Sequence, residues 1–328
     1  MLLMLVAVTA LANAPETLWV DTDCGFFGDD GAALVLIARS PQPFRLAGVS
    51  TVSGNVWGRS AFAYTGEILR LLGRPQTPLF LGAERPLVHT AEMSKREGKL
   101  QFAGAFALPE PPRAAVSSRA VEAFIDAVER APGQFTVLAL GPLTNLALAF
   151  RLRPGLDARI RRLVVMGGNV RVPGNVTAAA EFNFWFDPEA AQAVLRSRIP
   201  EKVLVALDLS NQAVVRKSHF DEIVAMATPI TARYREDAGH RWPGFLTDPA
   251  ATGFLWDELA AAWLVDPSIV TAEETLYLDV VGEFGPRYGA VVPLDRAQDP
   301  RATPVRFLRT LDFPRLWKLY KSLMIAKP

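Results

Sequence analysis

The segment 19–30, WVDTDCGFFGDD, gathers four aspartates, Asp21, Asp23, Asp29 and Asp30, between two apolar runs. Asp21 and Asp23 are two apart on a predicted strand, so their side chains share a face. Asp29 and Asp30 open a predicted helix, where the helix dipole favours negative charge by about 0.3–1 kcal/mol. That covers one or two carboxylates, not four converging at a strand end, where like charges raise one another's pKa. A hard divalent cation resolves the conflict, because calcium and magnesium take oxygen ligands and calcium accepts about six to eight of them. The competing reading, a helix cap plus solvated surface acids, fits poorly with the carboxyl end of a strand in an α/β sheet. Cys24 sits inside the segment with no His or Asn beside it, and reads as a small turn residue rather than a nucleophile.

The elements that must position these acids follow from periodicity. Apolar runs at 18–23, 44–54, 77–83, 160–169 and 202–210 predict strands, and 135–152 a strand–turn–helix. Residues 29–40, 61–73, 117–131, 187–197 and 255–267 predict helices. The alternation implies βαβ units and one α/β domain, a mostly parallel central sheet flanked by helices in an open Rossmann-type architecture. Ligands of such sheets sit beyond the carboxyl ends of the strands. There this chain carries DTDCGFFGDD, SGN, GPLTN, MGGN and DLSN, all polar or glycine-rich. Residues 90–118 lack a period and predict a long surface loop, a candidate lid. PRYGAVVPLD and TPVRFLRTLD predict a closing hairpin before a final helix. No internal repeat or linker divides the chain.

Half of the 328 residues are hydrophobic, and 35 basic residues face 34 acidic ones. The chain is globular, with no electrostatic case for nucleic acid or an anionic membrane, so the expected partner is a small molecule. One cysteine excludes an internal disulfide and a multi-cysteine zinc site. The N-terminus, MLLMLVAVTALANAPE, has an apolar run followed by the small-x-small triplets Ala10-Leu11-Ala12 and Ala12-Asn13-Ala14, although no basic residue precedes the run. It predicts a signal peptide over 1–14, cleaved most readily after Ala12, and a mature domain over 15–328 that is periplasmic or secreted. A ragged first strand in a cytoplasmic protein is the alternative.

DTDCGFFGDDGAAL resembles the N-terminal signature of the inosine-uridine nucleoside hydrolase family: an Asp-x-Asp pair, a glycine-containing turn and an Asp-Asp pair opening a helix. VSGN (52–55), ALGPLTNLALA (139–149), VVMGGNVRVPGNVTAAAEFNFWFDPEAA (164–191), VALDLSN (205–211) and LWDELAAA (255–262) resemble further family blocks, in family order. The resemblance implies calcium-dependent hydrolysis of the N-glycosidic bond of ribonucleosides to free base and ribose, by a homodimer or homotetramer. By that analogy Asp23, Asp30 and Asp257 ligate calcium through carboxylates and Thr144 through its backbone carbonyl. Asp23 doubles as general base on a calcium-bound water. Asp29, Asn175, Glu181 and Asn183 hold the ribose hydroxyls, Asn55, Met166 and Trp256 complete the substrate contacts, and Asp21 orients the other acids from behind. The chemistry suits these residue types: cleavage passes through an oxocarbenium-like centre, a metal activates water, and a carboxylate takes its proton. Asn183, two after Glu181, shares its side if the chain there is extended.

The chain departs from the family pattern in two places. The turn CGFFG is longer than the shortest family form, and Phe27 stands where longer forms often carry an extra aspartate. Phe26 and Phe27 are both expected to cover the core, the alternative being that one walls the site. Trp256 stands where many members carry histidine. Tryptophan donates no titrating proton at neutral pH but stacks on a flat base. Trp-Asp-x-x-x-Ala-Ala resembles the purine-specific branch, so purine nucleosides are the expected substrates; packing of Trp256 into the core is the competing reading. His89, His219 and His240 hold no motif position and are expected to be structural or solvated, although His240 or Trp242 could line the base pocket. A haloacid-dehalogenase-like phosphotransferase also opens with strand–Asp-x-Asp, but Cys24-Gly25 and SGN oppose it. A non-catalytic, exported nucleoside-binding protein of the same fold is the second alternative; a full set of expected carboxylates favours catalysis over it.

Overall fold

In the computed structural model, residues 15–42, 44–112, 118–296, 299 and 301–325 are described. The leader expected at 1–14 lies outside them, as does residue 117 of one expected helix. The strands are β1 (Thr17–Thr22), β2 (Arg45–Thr51), β3 (Leu79–Leu81), β4 (Phe135–Ala139), β5 (Ile160–Met166), β6 (Glu201–Val205), β7 (Val214–Arg216), β8 (Thr252–Phe254), β9 (Val270–Val280), β10 (Val291–Pro293) and β11 (Pro304–Leu311). Nine of them form one sheet in the order β10-β9-β11-β6-β5-β4-β1-β2-β3, and β7 and β8 pair separately. From β3 to β11 every pairing is parallel; β9 and β10 extend the far edge antiparallel. The chain winds outward from β1 in both directions, so the strand order reverses between β1 and β4. A crevice opens at that point in doubly wound sheets.

β1 is buried along its whole length. Leu18 and Val20 enter the core on one face, and Trp19 enters the core on the other. A strand covered on both faces reads as continuous apolar sequence, which is why it is legible. The helix Ala32–Ala38 packs against the helix Asp257–Val265, and with Phe313–Ile325 they cover the first face.

Several elements differ from expectation. The helix expected at 29–40 begins as a wider π-type turn, Phe27–Gly31, and continues as Ala32–Ala38. The strand expected through 210 stops at Val205, and Leu207–Ser210 turns into a short helix. PRYGAVVPLD and TPVRFLRTLD do not pair with each other; their strands β10 and β11 flank β9 on opposite sides. β9 itself escaped the reading because its first half alternates exposed and half-buried residues, including Glu273 and Glu274, instead of running apolar. Within the expected free loop, Ala91–Arg96 is helical, Ala103 and Ala105 are buried, and Ala105 N donates to Gly54 O at 2.8 Å, so this segment is pinned across β2's exit. Among the described residues no helix is long and apolar enough to cross a membrane.

Candidate active site

β1 delivers Asp23 to the crevice, and the π-type turn brings Asp29 and Asp30 back beside it. Asp257 arrives from a distant part of the chain as the first residue of its helix. One carboxylate oxygen from each of Asp29, Asp30 and Asp257 lies within 4.8 Å of the others, and all three residues are buried. Asp257 N donates to Asp29 Oδ1 at 3.1 Å, and Thr22 Oγ1 donates to Asp30 Oδ1. Asp23 stands against Asp30 and accepts from Asn55 N at 2.5 Å. With Asp23 these three make a cluster of four acids, which contains the carboxylates expected at the metal.

The glycines of the SGN and GPLTN loops have a steric reason. A Cβ on Gly54 would meet Asp23 Oδ2 at 2.0 Å, and one on Gly141 would meet the Asp23 carboxyl at 2.9 Å. The two loops close on this carboxylate from both sides.

Burial pushes all four acids up, to about 8 for Asp29 and about 6 for Asp30, and well above the carboxylate range for Asp23 and Asp257, where neighbouring charges add to the effect. Asp23 Oδ1 and Asp30 Oδ2 are buried with no hydrogen-bond partner. Orphaned oxygens and converging hard donors suit a divalent cation.

Asp21, expected behind the other acids, is buried at the end of β1. Its Oδ1 accepts from Ser50 Oγ and from Asn145 Nδ2, the latter at 2.7 Å, which ties β1 to β2 and to the helix that follows β4. Burial pushes Asp21 up to about 7. Thr144 begins the helix Thr144–Leu152, and its hydroxyl donates to Asp187 Oδ2 at 2.6 Å. Asp187 also accepts from Leu87 N at 3.0 Å and caps the helix Pro188–Leu195.

A cavity of about 260 Å³ lies against the acid cluster, and Asp29 and Asp257 form part of its wall. Asn55, Met166, Asn175, Glu181, Asn183 and Trp256 line it too, so every residue expected at the substrate meets there. Glu181 and Asn183 do not converge through an extended chain. Glu181 caps a short helix, Phe182–Phe186, accepting from Asn183 N at 2.9 Å, Phe184 N at 3.1 Å and Gly168 N at 2.7 Å. Asn183 Nδ2 donates to Leu140 O at 2.9 Å and to Met166 O at 3.2 Å, fixing the amide between two strand ends.

Phe27 is fully buried in the core as expected, but Phe26 walls the cavity, edge-on to Trp242 with centroids 5.0 Å apart. Phe27 N donates to Asp237 Oδ2 at 2.6 Å, which joins the acid turn to the helix Pro229–Arg241. Trp242 lines the cavity, and Trp256 is half-buried in its wall rather than lost in the core. No histidine lines it among the described residues. His89 is buried between Ser94 Oγ and the carbonyls of Trp185 and Phe186, and burial pushes it down to about 4. His219 packs on Trp317, and His240 lines a separate groove of about 570 Å³ with Thr231 and Arg235. Cys24 is buried, and burial pushes its thiol well up, which suits an inert turn residue. The DLSN segment stays outside the cavity; Asp208 holds the turn at Val170 and Arg171.

Sequence reasoning missed Thr22, Asp187, Asp237 and Glu258. Glu258 is fully buried, accepts from Trp256 N at 3.1 Å and is pushed well up by burial. Only Asp187 left a local signal, an Asp-Pro helix start.

Comparison with known proteins agrees with this geometry. The family model for inosine-uridine preferring nucleoside hydrolases matches residues 18–318. The pyrimidine-specific ribonucleoside hydrolase RihA of Salmonella agona is 34% identical over 263 residues, covering 77% of this chain and 81% of the relative. The purine-preferring ribonucleoside hydrolase of Gardnerella vaginalis is 25% identical with a TM-score of 0.75, over 94% of this chain and 98% of that structure. The plant nucleoside hydrolase PpNRh1 shares the fold, with a TM-score of 0.79 at 24% identity over 96% of this chain and 100% of that one. The chain belongs to the inosine-uridine preferring nucleoside hydrolase family, and it is a ribonucleoside hydrolase, an N-glycosidase.

Proposed function

We propose that this hydrolase acts on ribonucleosides with a preference for purines, depends on calcium, and uses Asp23 as its general base. The observation that carries the reading is one cavity in which buried acids meet amide and carboxylate groups suited to a ribose, and aromatic faces suited to a base. Asp23, Asp30 and Asp257, with the Thr144 carbonyl, would hold the cation. Calcium bound there would orient a water molecule and make it more acidic. Asp23, confined by Gly54 and Gly141, takes the proton of the attacking water. Asp29, Asn175, Glu181, Asn183 and Asn55 hold the sugar, whose hydroxyls both donate and accept. As the C1′–N bond breaks, the surrounding carboxylates stabilise the positive charge at the sugar.

The purine preference rests on Trp256, Trp242 and Phe26 in the cavity wall and on the absence of a lining histidine among the described residues. The test is release of reducing sugar from inosine, guanosine, adenosine, uridine and cytidine, with calcium and with a chelator. A preference for uridine overturns the purine assignment, and undiminished turnover in chelator overturns the calcium assignment. Binding without turnover in the presence of calcium overturns the catalytic role of these acids. We further propose a mature domain over 15–328 that is exported and assembles as a dimer or tetramer. N-terminal sequencing of the protein from cell fractions and sedimentation analysis test these points; an intact Met1 or a monomer refutes them.

A further inference from the structure

We propose that Arg241 is a catalytic residue of this reaction, its guanidinium stabilising the negative charge that the nucleobase takes up as it departs. The inference rests on the hydrolysis reading above and adds the group that serves the leaving base. When the C1′–N bond breaks, its electron pair goes to the base nitrogen. Water supplies the hydroxyl to C1′ and gives its proton to Asp23. The cavity offers no histidine to meet the charge on the base, and Trp242 and Trp256 present faces and weak donors rather than a proton.

Arg241 ends the helix Pro229–Arg241, directly before Trp242 of the cavity wall. Its guanidinium carbon lies 4.2 Å over the ring of Phe26, also of that wall. This cation–π contact occupies the guanidinium without using its five N–H groups as donors. Among the described residues Arg241 makes no hydrogen bond and no ion pair, although its charge reaches Asp29, Asp23 and Asp30. Phe26 therefore carries the cation beside the acids without letting it collapse onto them. Arg241 is itself exposed and outside the cavity lining, so its donors would meet the nitrogen and oxygen acceptors on the edge of a base bound against Phe26 and Trp242. Arg241 keeps its own proton throughout, since a guanidinium does not titrate in a protein. The departed base takes a proton from solvent.

The experiment compares Arg241→Gln and Arg241→Lys with the parent on inosine and on p-nitrophenyl riboside, whose leaving group departs without assistance. On inosine, Arg241→Gln is expected to lower kcat about 10²-fold, the scale for removing a donor aimed at developing charge, with KM changing far less and Arg241→Lys retaining part of the rate. On the nitrophenyl riboside both losses should be about tenfold smaller or more, since less charge stabilisation is needed. Equal losses on the two substrates, or none on either, overturn the proposal. So does a calcium affinity that tightens several-fold in Arg241→Gln while the two substrates fall together, because Arg241 would then only offset the acids. A parent protein that turns over neither substrate sinks the hydrolysis reading itself.

Discussion

Replacing Gly54 with alanine tests the claim that loop backbone, and not only the acids, builds this site. A Cβ there would sit 2.0 Å from Asp23 Oδ2 and 2.7 Å from Pro142 Cδ, where real Cβ contacts stay beyond 3.0 Å. The difference, 3.0 minus 2.0, means that about 1 Å of displacement must be absorbed by Asp23 or its surroundings. Pro142 blocks retreat of the loop, so the carboxylate swings and its 2.5 Å bond from Asn55 N is lost. A misplacement of about 1 Å costs on the order of 10²-fold in rate, and overpacking costs about 1–3 kcal/mol in stability. The assay is kcat and KM on inosine with saturating calcium, beside a thermal melt. Gly285, whose Cβ would meet nothing within 4 Å, supplies the matched control, expected to behave as the parent. Parental kcat in Gly54→Ala, with a folded protein, would refute the reasoning that Asp23 is held in a steric vice.

The acids carry a pH signature. Their folded pKa values lie above the unfolded ones near 4, so ionisation costs folding energy as pH rises, and the metal-free melting temperature should fall between about pH 4 and pH 8. On the calcium proposal the ion would bind the ionised form, so its stabilising effect should grow across the same window and its binding should release protons, measurable by calorimetry in two buffers; a pH-independent calcium effect contradicts this. Trp256→Phe should keep most of the turnover, while Trp256→Ala should lose about 1–3 kcal/mol of base stacking in kcat/KM; equal behaviour of the two variants would place Trp256 outside the base site. His240→Ala should change kcat by no more than about twofold, the range of a surface substitution, because His240 lines a different groove. A tenfold loss would bring it back as the leaving-group acid.

How much of this the sequence carried depended on the kind of force involved. β1 and the strands beside it were readable because burial on both faces leaves an unbroken apolar run. β9 was not, because its first half alternates exposed and half-buried residues and includes Glu273 and Glu274, leaving no apolar run. The acids and their companions were readable as motif residues, and the cavity gathers all those expected at the substrate. Their geometry was not. Glu181 and Asn183 converge through a helix cap, and a π-type turn carries Asp29 and Asp30 to Asp257, which lies 228 residues beyond Asp29 in sequence. Asp237 and Arg241 meet Phe27 and Phe26 across long sequence separations, on which local pattern is silent. Phe26 and Phe27 look alike in sequence, yet one faces the cavity and its neighbour the core.

The contact between Asp257 and Asp29 also bears on the timing of folding, since it spans a separation of 228 residues. At a synthesis rate of about 5–20 residues per second, the acid turn leaves the ribosome roughly 10–45 s before its last partner. Through that interval the nascent chain holds Asp23, Asp29 and Asp30 without the helix that brings Asp257, so the proposed cation would be held by all four acids only in the finished chain. An ion bound as proposed would act as a removable staple across a very large loop. A chelator should therefore loosen the packing of the helices Ala32–Ala38 and Asp257–Val265 before it disturbs the sheet, and hydrogen exchange at those two helices would register its removal first.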